Sequence, residues 1–189
     1  MSPARRHGPR LPIDTARLRI REFAAGDEPD LAGLYLDRRI TRHLLHGPRD
    51  AEGVHRHLAG ILRRQRGPRR DTWELAAVEA ASGQLVGAGD LVLHSAGEAE
   101  IGYLVAHSLW GRGYATEIAG ALLQSAFLDL GVKQVVATVA IGNARSLGVL
   151  DKLGLRWEAS FRRQARDRRR EWDVHLYSLA REDWLQARA

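Results

Sequence analysis

The stretch Leu109-Trp110-Gly111-Arg112-Gly113-Tyr114-Ala115-Thr116-Glu117 runs without a break into Ile118-Ala119-Gly120-Ala121-Leu122-Leu123-Gln124-Ser125-Ala126. Apolar residues at 115, 118, 119, 122, 123, 126 and 130 recur with the i, i+3, i+4, i+7 period of an amphipathic helix. Gly131 stands where a left-handed residue would close that helix. Just upstream, Ala99-Glu100-Ile101-Gly102-Tyr103-Leu104-Val105 reads as a strand. A strand, a turn broken by two glycines and a helix starting near Tyr114 together make an anion site. The first N–H groups of a helix have no partner inside it and carry the positive end of its dipole. Gly111 and Gly113 lack a Cβ, so a phosphate can come close to that backbone.

Two common phosphate turns do not fit. The Walker turn requires Gly-Lys-Ser/Thr, a triplet absent from this chain. The dinucleotide fingerprint requires a third glycine where Thr116 stands. The run Trp110-Gly111-Arg112-Gly113-Tyr114-Ala115 resembles the acetyl-CoA signature of the GNAT N-acetyltransferases, Gln/Arg-x-x-Gly-x-Gly/Ala. Trp110 replaces the usual Gln/Arg, and Ala115 takes the second small position. Extended through Thr116 and Glu117, the wording looks most like the RimJ/RimL-type branch. A second segment, Asn143-Ala144-Arg145-Ser146 with Leu150-Asp151-Lys152-Leu153-Gly154-Leu155, is similar to the family's Asn-x-x-Ser/Ala…Tyr-x-Lys-x-Gly-Phe, and Asp173 with Tyr177-Ser178-Leu179 looks like its last strand. The resemblance runs from about Leu11 to Trp184.

The resemblance implies a single-domain α/β (α+β) GNAT fold, with a mixed central sheet of about seven strands flanked by about four helices. It implies acetyl-CoA as cosubstrate, no metal, and transfer of the acetyl group to a primary amine, either a protein N-terminus or a small amine. By the same resemblance acetyl-CoA meets Trp110, Gly111, Arg112, Gly113, Tyr114, Ala115 and Thr116, and Asn143 bonds the pantetheine amide. Backbone N–H groups near Leu104 and Val105 would polarise the thioester carbonyl. Many members protonate the departing thiolate with a Tyr, but Leu150 holds that position here, and Ser146 would serve instead, as in the RimJ/RimL type. For the base, Glu100 is the carboxylate nearest the expected acyl position, and an apolar cleft would raise its pKa. Glu98, Asp90 and Asp173 are its rivals.

The rest of the chain reads in the same order. Residues 15–23 form a strand, 27–36 a helix, 40–46 a connection and 51–65 a second helix. Residues 73–78 and 84–93 form a hairpin, and 134–140 is an apolar run suited to a strand covered on both faces. A short helix from Leu147 to Leu153 follows, then two strands around an arginine-rich connection, residues 162–170.

With no cysteine, the chain has no disulfide, thiolate ligand or Cys nucleophile. No apolar run reaches the 18 residues of a membrane span. Residues 1–10 are basic with no apolar segment after them, so a flexible arm precedes a domain over 11–189, and a cytoplasmic location is expected. The net charge is +6, carried by arginines spread along the chain, and no RRM, KH or helix-turn-helix pattern accompanies it, so neither nucleic acid nor membrane is an expected partner. The fold also permits a homodimer. His43, His46, His55 and His57 lack the clustered carboxylates or cysteines of a metal site, and none is expected. Ten arginines between residues 38 and 70, against Asp50 and Glu52, point to a positive field on the acceptor side, as do Arg162, Arg163, Arg166 and Arg168 to Arg170. The competing readings on the same fold are a non-catalytic CoA-binding module and an RNA-associated protein.

Overall fold

In the computed structural model, which describes residues 8–44, 49–68, 70–94, 97–164 and 171–188, the expected helix α4 spans Tyr114–Leu128. Gly131 adopts φ +65° past its end, and the Val132 N–H returns to the Ala126 carbonyl at 3.2 Å, closing the last turn. Ile118, Leu122, Leu123 and Phe127 are fully buried. Truncating any of them to Ala would cost about 2–5 kcal/mol.

Eight strands form one sheet among the described residues: β1 (Ile13–Asp14), β2 (Leu18–Glu22), β3 (Thr72–Glu79), β4 (Leu85–Leu93), β5 (Glu98–Val105), β6 (Gln134–Ala140), β7 (Arg156–Gln164) and β8 (Glu171–Ala180). Their spatial order is β1-β2-β3-β4-β5-β6-β8-β7. Only β5 and β6 run parallel, and α4 is the crossover between them. Helices α4, α5 (Ala144–Lys152) and α6 (Arg181–Gln186) cover one face; α1 (Glu28–Tyr35), α2 (Arg38–Thr41) and α3 (Ala51–Gln65) cover the other.

Strand parity sorts the side chains between those two layers. On β3, Trp73, Leu75 and Ala77 enter the core under α4, while Ala76 and Val78 enter the core under α1 and α3. Close contact between α4 and the sheet depends on Gly89 of β4, where an added Cβ would stand 2.9 Å from Leu122 and 3.1 Å from Ile118.

The sheet is one strand larger than the expected seven because Ile13 and Asp14 pair with Ile20 and Arg19. Among the described residues six helices stand where about four were expected. The connection at 40–46 begins inside the single turn of α2, whose N-terminus the Asp37 carboxylate caps through the Arg39 N–H at 2.8 Å. Helix α5 starts three residues before the expected Leu147, because Asn143 caps it by accepting the Ser146 N–H at 3.3 Å. The second added helix is α6, which buries Trp184 against Phe127. Arg162 and Arg163 belong to β7 rather than to a connection. Arg166, Arg168 to Arg170, His46 and residues 1–7 of the expected arm lie outside the described residues.

Candidate active site

From β5 the chain passes through a short 3-10 turn, His107–Leu109, and enters α4 at two glycines in the left-handed region, Gly111 at φ +78° and Gly113 at φ +84°. Gly113 is the N-cap of α4 and supplies no side-chain cap. The first N–H groups of this fifteen-residue helix therefore face the cavity with only an anion or water to satisfy them. Trp110 staples the turn: its indole N–H donates to the Val105 carbonyl at 2.9 Å, and the Arg145 guanidinium lies 4.9 Å from its ring. A brace comes from the other end of the chain. Arg17 donates to the Arg112 carbonyl at 3.0 Å, lies 4.2 Å over the Tyr114 ring and pairs with Glu117. The Tyr114 hydroxyl donates to Glu79, which holds that carboxyl below its usual range.

A cavity of about 710 Å³ opens on this turn. Leu104, Val105, Trp110, Gly111, Gly113, Tyr114, Ala115, Thr116, Asn143 and Ser146 all line it; Arg112 does not, since its carbonyl is turned to Arg17 and its side chain is exposed. Its charged lining residues are Arg39, Arg42, Arg145 and Lys152, with no carboxylate among them. The cavity suits a phosphorylated, elongated ligand such as acetyl-CoA. Its cations meet phosphate charge, and the two glycines leave main-chain N–H groups unshielded.

The second cavity, about 530 Å³, exists because the sheet opens. Strands β5 and β6 pair only at Glu98, Ala99 and Glu100 with Gln134, Val135 and Val136. Beyond that point the two strands part, and residues 101–104 and 137–140 become facing walls. Parity then brings Glu74, Asp90 and Glu100 into this one space. Glu74 of β3 stands directly across from Asp90 of β4, and Asp90 across from Gly102 of β5. A Cβ at Gly102 would lie 3.3 Å from the Asp90 carboxylate.

Among the described residues, this cavity carries three carboxylates beside two arginines rather than the expected excess of arginines. Of the ten arginines at 38–70, Arg69 lies outside the described residues and among the others Arg49 alone lines the second cavity; Arg163 comes from β7. Arg64 pairs with Glu74 at the cavity's edge, while Arg70 pairs with Glu22 and Arg56 with Glu52 away from it. Counting residues along the chain could not show this, because the carboxylates that offset them sit on distant strands.

Glu100 lines the second cavity, but not as the raised carboxyl expected of a base. Arg163 donates to it at 2.9 Å and His94 lies 3.4 Å from its other oxygen. Burial pushes its carboxyl up, yet Arg163, Thr138 and His94 outweigh that and hold it below the usual range. Of its rivals, Asp90 lines the cavity; Glu98 sits at the outer end of β5 and Asp173 pairs with Arg162 at 3.3 Å, both away from either cavity.

Among the described residues six wall both cavities: His43, Leu44, Tyr103, Leu104, Asn143 and Ser146. Tyr103 and His43 had not been singled out for this place. The Ser146 hydroxyl donates to the Tyr103 oxygen at 3.1 Å, and the Tyr103 hydroxyl donates to the Ser146 carbonyl, also at 3.1 Å. Burial, only partly offset by Ser146, pushes the Tyr103 hydroxyl up to about 12. Burial and the charges of Arg42 and Arg145 lower His43 below its ordinary value, and its Nε2 accepts from Arg42 at 3.0 Å. Leu150, at the family's Tyr position, is fully buried in the core. His55 faces Glu28 and His57 faces Glu74. Among the described residues no group of three His, Asp or Glu could hold a metal ion.

A mixed central sheet flanked by helices, with a strand leading through a glycine-broken turn into a helix, is the architecture the sequence resemblance implies. Residues 17–156 match the acetyltransferase (GNAT) domain family, and the chain belongs to it. It is 31% identical over 85 residues to the uncharacterized N-acetyltransferase YnaD of Bacillus subtilis, a match covering 45% of this chain and half the length of YnaD (50%). It is 24% identical over 184 residues to YoaA of the same organism, an uncharacterized N-acetyltransferase, covering 89% of this chain and 96% of YoaA. Its fold is similar to a GNAT-family acetyltransferase from Bacillus anthracis, with a TM-score of 0.77, 23% identity, and coverage of 90% and 98% of the two chains.

Proposed function

We propose that this chain is an N-acetyltransferase that moves the acetyl group of acetyl-CoA directly to a primary amine. One observation carries the reading. Among the described residues, a cavity lined by four cations and no carboxylate meets a cavity lined by three carboxylates and two arginines, and the shared wall holds Tyr103, Asn143 and Ser146. The first suits a polyanionic donor and the second an amine.

In this reading the N–H groups at the start of α4 hold the pyrophosphate, with Gly111 and Gly113 allowing the approach. Asn143 caps α5 with its side-chain oxygen, so its NH2 group is what it offers to a pantetheine carbonyl. Leu104 and Val105 lie where β5 has left β6, beside the expected thioester. The acceptor enters from the carboxylate-lined side, as a small amine or as a protein N-terminus.

The test is acetyl-CoA calorimetry followed by CoA release with benzylamine, spermine and a peptide with a free N-terminal serine. Binding with amine-dependent CoA release is the expected result. Binding without release from any amine would instead describe a CoA-binding module, and Gly113→Val that folds and binds normally would remove the turn from the site.

A further inference from the structure

Direct transfer takes one proton from the attacking nitrogen and delivers one to the departing sulfur, and among the described residues no carboxylate lines both cavities. Glu74, Asp90 and Glu100 line only the acceptor side, with Glu74 paired to Arg64 and Glu100 to Arg163. Among the described residues that wall both cavities, only Tyr103 and Ser146 carry hydroxyls, and those hydroxyls bond each other. We propose that Tyr103 and Ser146 form a two-hydroxyl relay that carries the proton from the amine nitrogen to the CoA sulfur. The relay rests on the acetyl-transfer reading above.

Atoms and charges balance as follows. The nitrogen–carbon bond forms at the acetyl carbon, and the carbon–sulfur bond breaks with its electron pair going to sulfur. The proton leaving nitrogen goes to the Tyr103 oxygen, the original Tyr103 proton goes to Ser146 Oγ, and the original Ser146 proton goes to sulfur. Both hydroxyls end protonated, and no external base or acid is consumed.

The geometry needs little adjustment. The Tyr103 oxygen lies 3.1 Å from both the carbonyl and the hydroxyl oxygen of Ser146. Turning both hydroxyl hydrogens, that of Tyr103 from the Ser146 carbonyl to Ser146 Oγ and that of Ser146 from Tyr103 toward the sulfur, converts this pair into the relay. Ser146 is held in place by its N–H on the Asn143 cap, and Tyr103 by its position in β5. A phenol pushed up to about 12 does not lose its proton for long, which favours passing one on as another arrives.

Two measurements on the full chain decide it. The first follows the thiolate absorbance of bound CoA against pH, in wild type, Tyr103→Phe and Ser146→Ala, and needs no acceptor. A thiol facing the relay ionises at lower pH in wild type, and its titration moves upward in both variants. The second compares kcat with the fastest of the three trial amines. Each single variant should fall by roughly 10²–10⁴-fold with acetyl-CoA KM little changed. The double variant should be no slower than the slower single, because the two hydroxyls act on one path. A solvent deuterium effect on kcat should be present in wild type and lost in Tyr103→Phe. An unmoved thiol titration with CoA binding intact, or multiplicative losses in the double variant, would overturn the relay alone. Wild type that does not bind acetyl-CoA would overturn the acetyl-transfer reading itself.

Discussion

Arg17 grips Glu117 with two nitrogens, Nε at 2.8 Å and Nη2 at 2.7 Å, across 100 residues of sequence. The same carboxylate accepts the Thr15 hydroxyl at 2.6 Å and the Arg17 N–H at 2.8 Å. Burial pushes the Glu117 carboxyl up, but these donors outweigh it and keep it charged. The first turn of α4 is thereby tied to the segment leading into β2. Arg17 lines neither cavity, so its effect on a ligand is indirect.

The brace should matter to acetyl-CoA affinity. Arg17→Ala removes the bond to the Arg112 carbonyl, the cover over Tyr114 and the partner of Glu117 together. Losing about 1–2 kcal/mol of order at the turn corresponds to a roughly 10-fold weaker Kd. Glu117→Gln should weaken binding in the same direction. Calorimetry checks both, and unchanged affinity in folded Arg17→Ala would show that the turn holds its shape unaided.

Glu100 should prove dispensable for the neutral-pH rate. A carboxyl held low by Arg163 is charged throughout the working range and is a weak base. Glu100→Gln is expected to lower kcat by less than about 10-fold and to leave the pH dependence of kcat/KM above pH 5 unchanged. Disappearance of a limb of that profile in the variant would return Glu100 to the role of base.

The acceptor cavity should prefer cationic over carboxylate-bearing amines. Glu74 and Asp90 stand directly across a strand pair; Arg64 already meets Glu74, and a cationic amine would add positive charge beside the two carboxylates. Asp90→Asn should lower kcat/KM for spermine more than for benzylamine, and added salt should narrow the gap between the two amines. Faster turnover of an amine bearing a carboxylate would show that Arg49 and Arg163 dominate the field.

Stability in acid should depend on Asp27. Its carboxylate takes both Arg21 nitrogens, at 2.7 and 2.8 Å, and the Ala24 N–H at 2.7 Å. Burial raises its pKa, but Arg21 and Ala24 outweigh that and the net shift is downward. A lowered folded value means the stabilisation is complete above the unfolded pKa of about 3.9 and is lost as pH falls through the folded one. Asp27→Asn should cost about 1.5–3 kcal/mol at pH 7, and the gap to wild type should close below pH 4. Urea unfolding from pH 7 to pH 2.5 measures it; a gap that stays constant would mean the carboxylate charge contributes nothing.

Much of this protein is legible in consecutive residues. The turn at Gly111 and Gly113, the helix from Tyr114 and its closure at Gly131 depend on φ preferences and a 3.6-residue period, all of them local. The strand at 98–105 and the short helix after Asn143 announce themselves in the same way, apart from a start that the cap moved forward to Ala144. These local features determined the fold class and the residues around the first cavity.

The second cavity was decided by tertiary structure alone. Glu74, Asp90 and Glu100 share a space because three strands pair in one register, and a slip of a single residue would turn each carboxylate to the opposite face. Tyr103 meets Ser146 across 43 residues because β5 parts from β6 and leaves room for the start of α5. Whether Glu100 is a raised base or a lowered partner depended on Arg163, which lies 63 residues away. Period and propensity act over a few residues. A carboxyl's protonation and a cavity's charge depend on which distant groups stand within a few ångströms, and only the register of the sheet decides that.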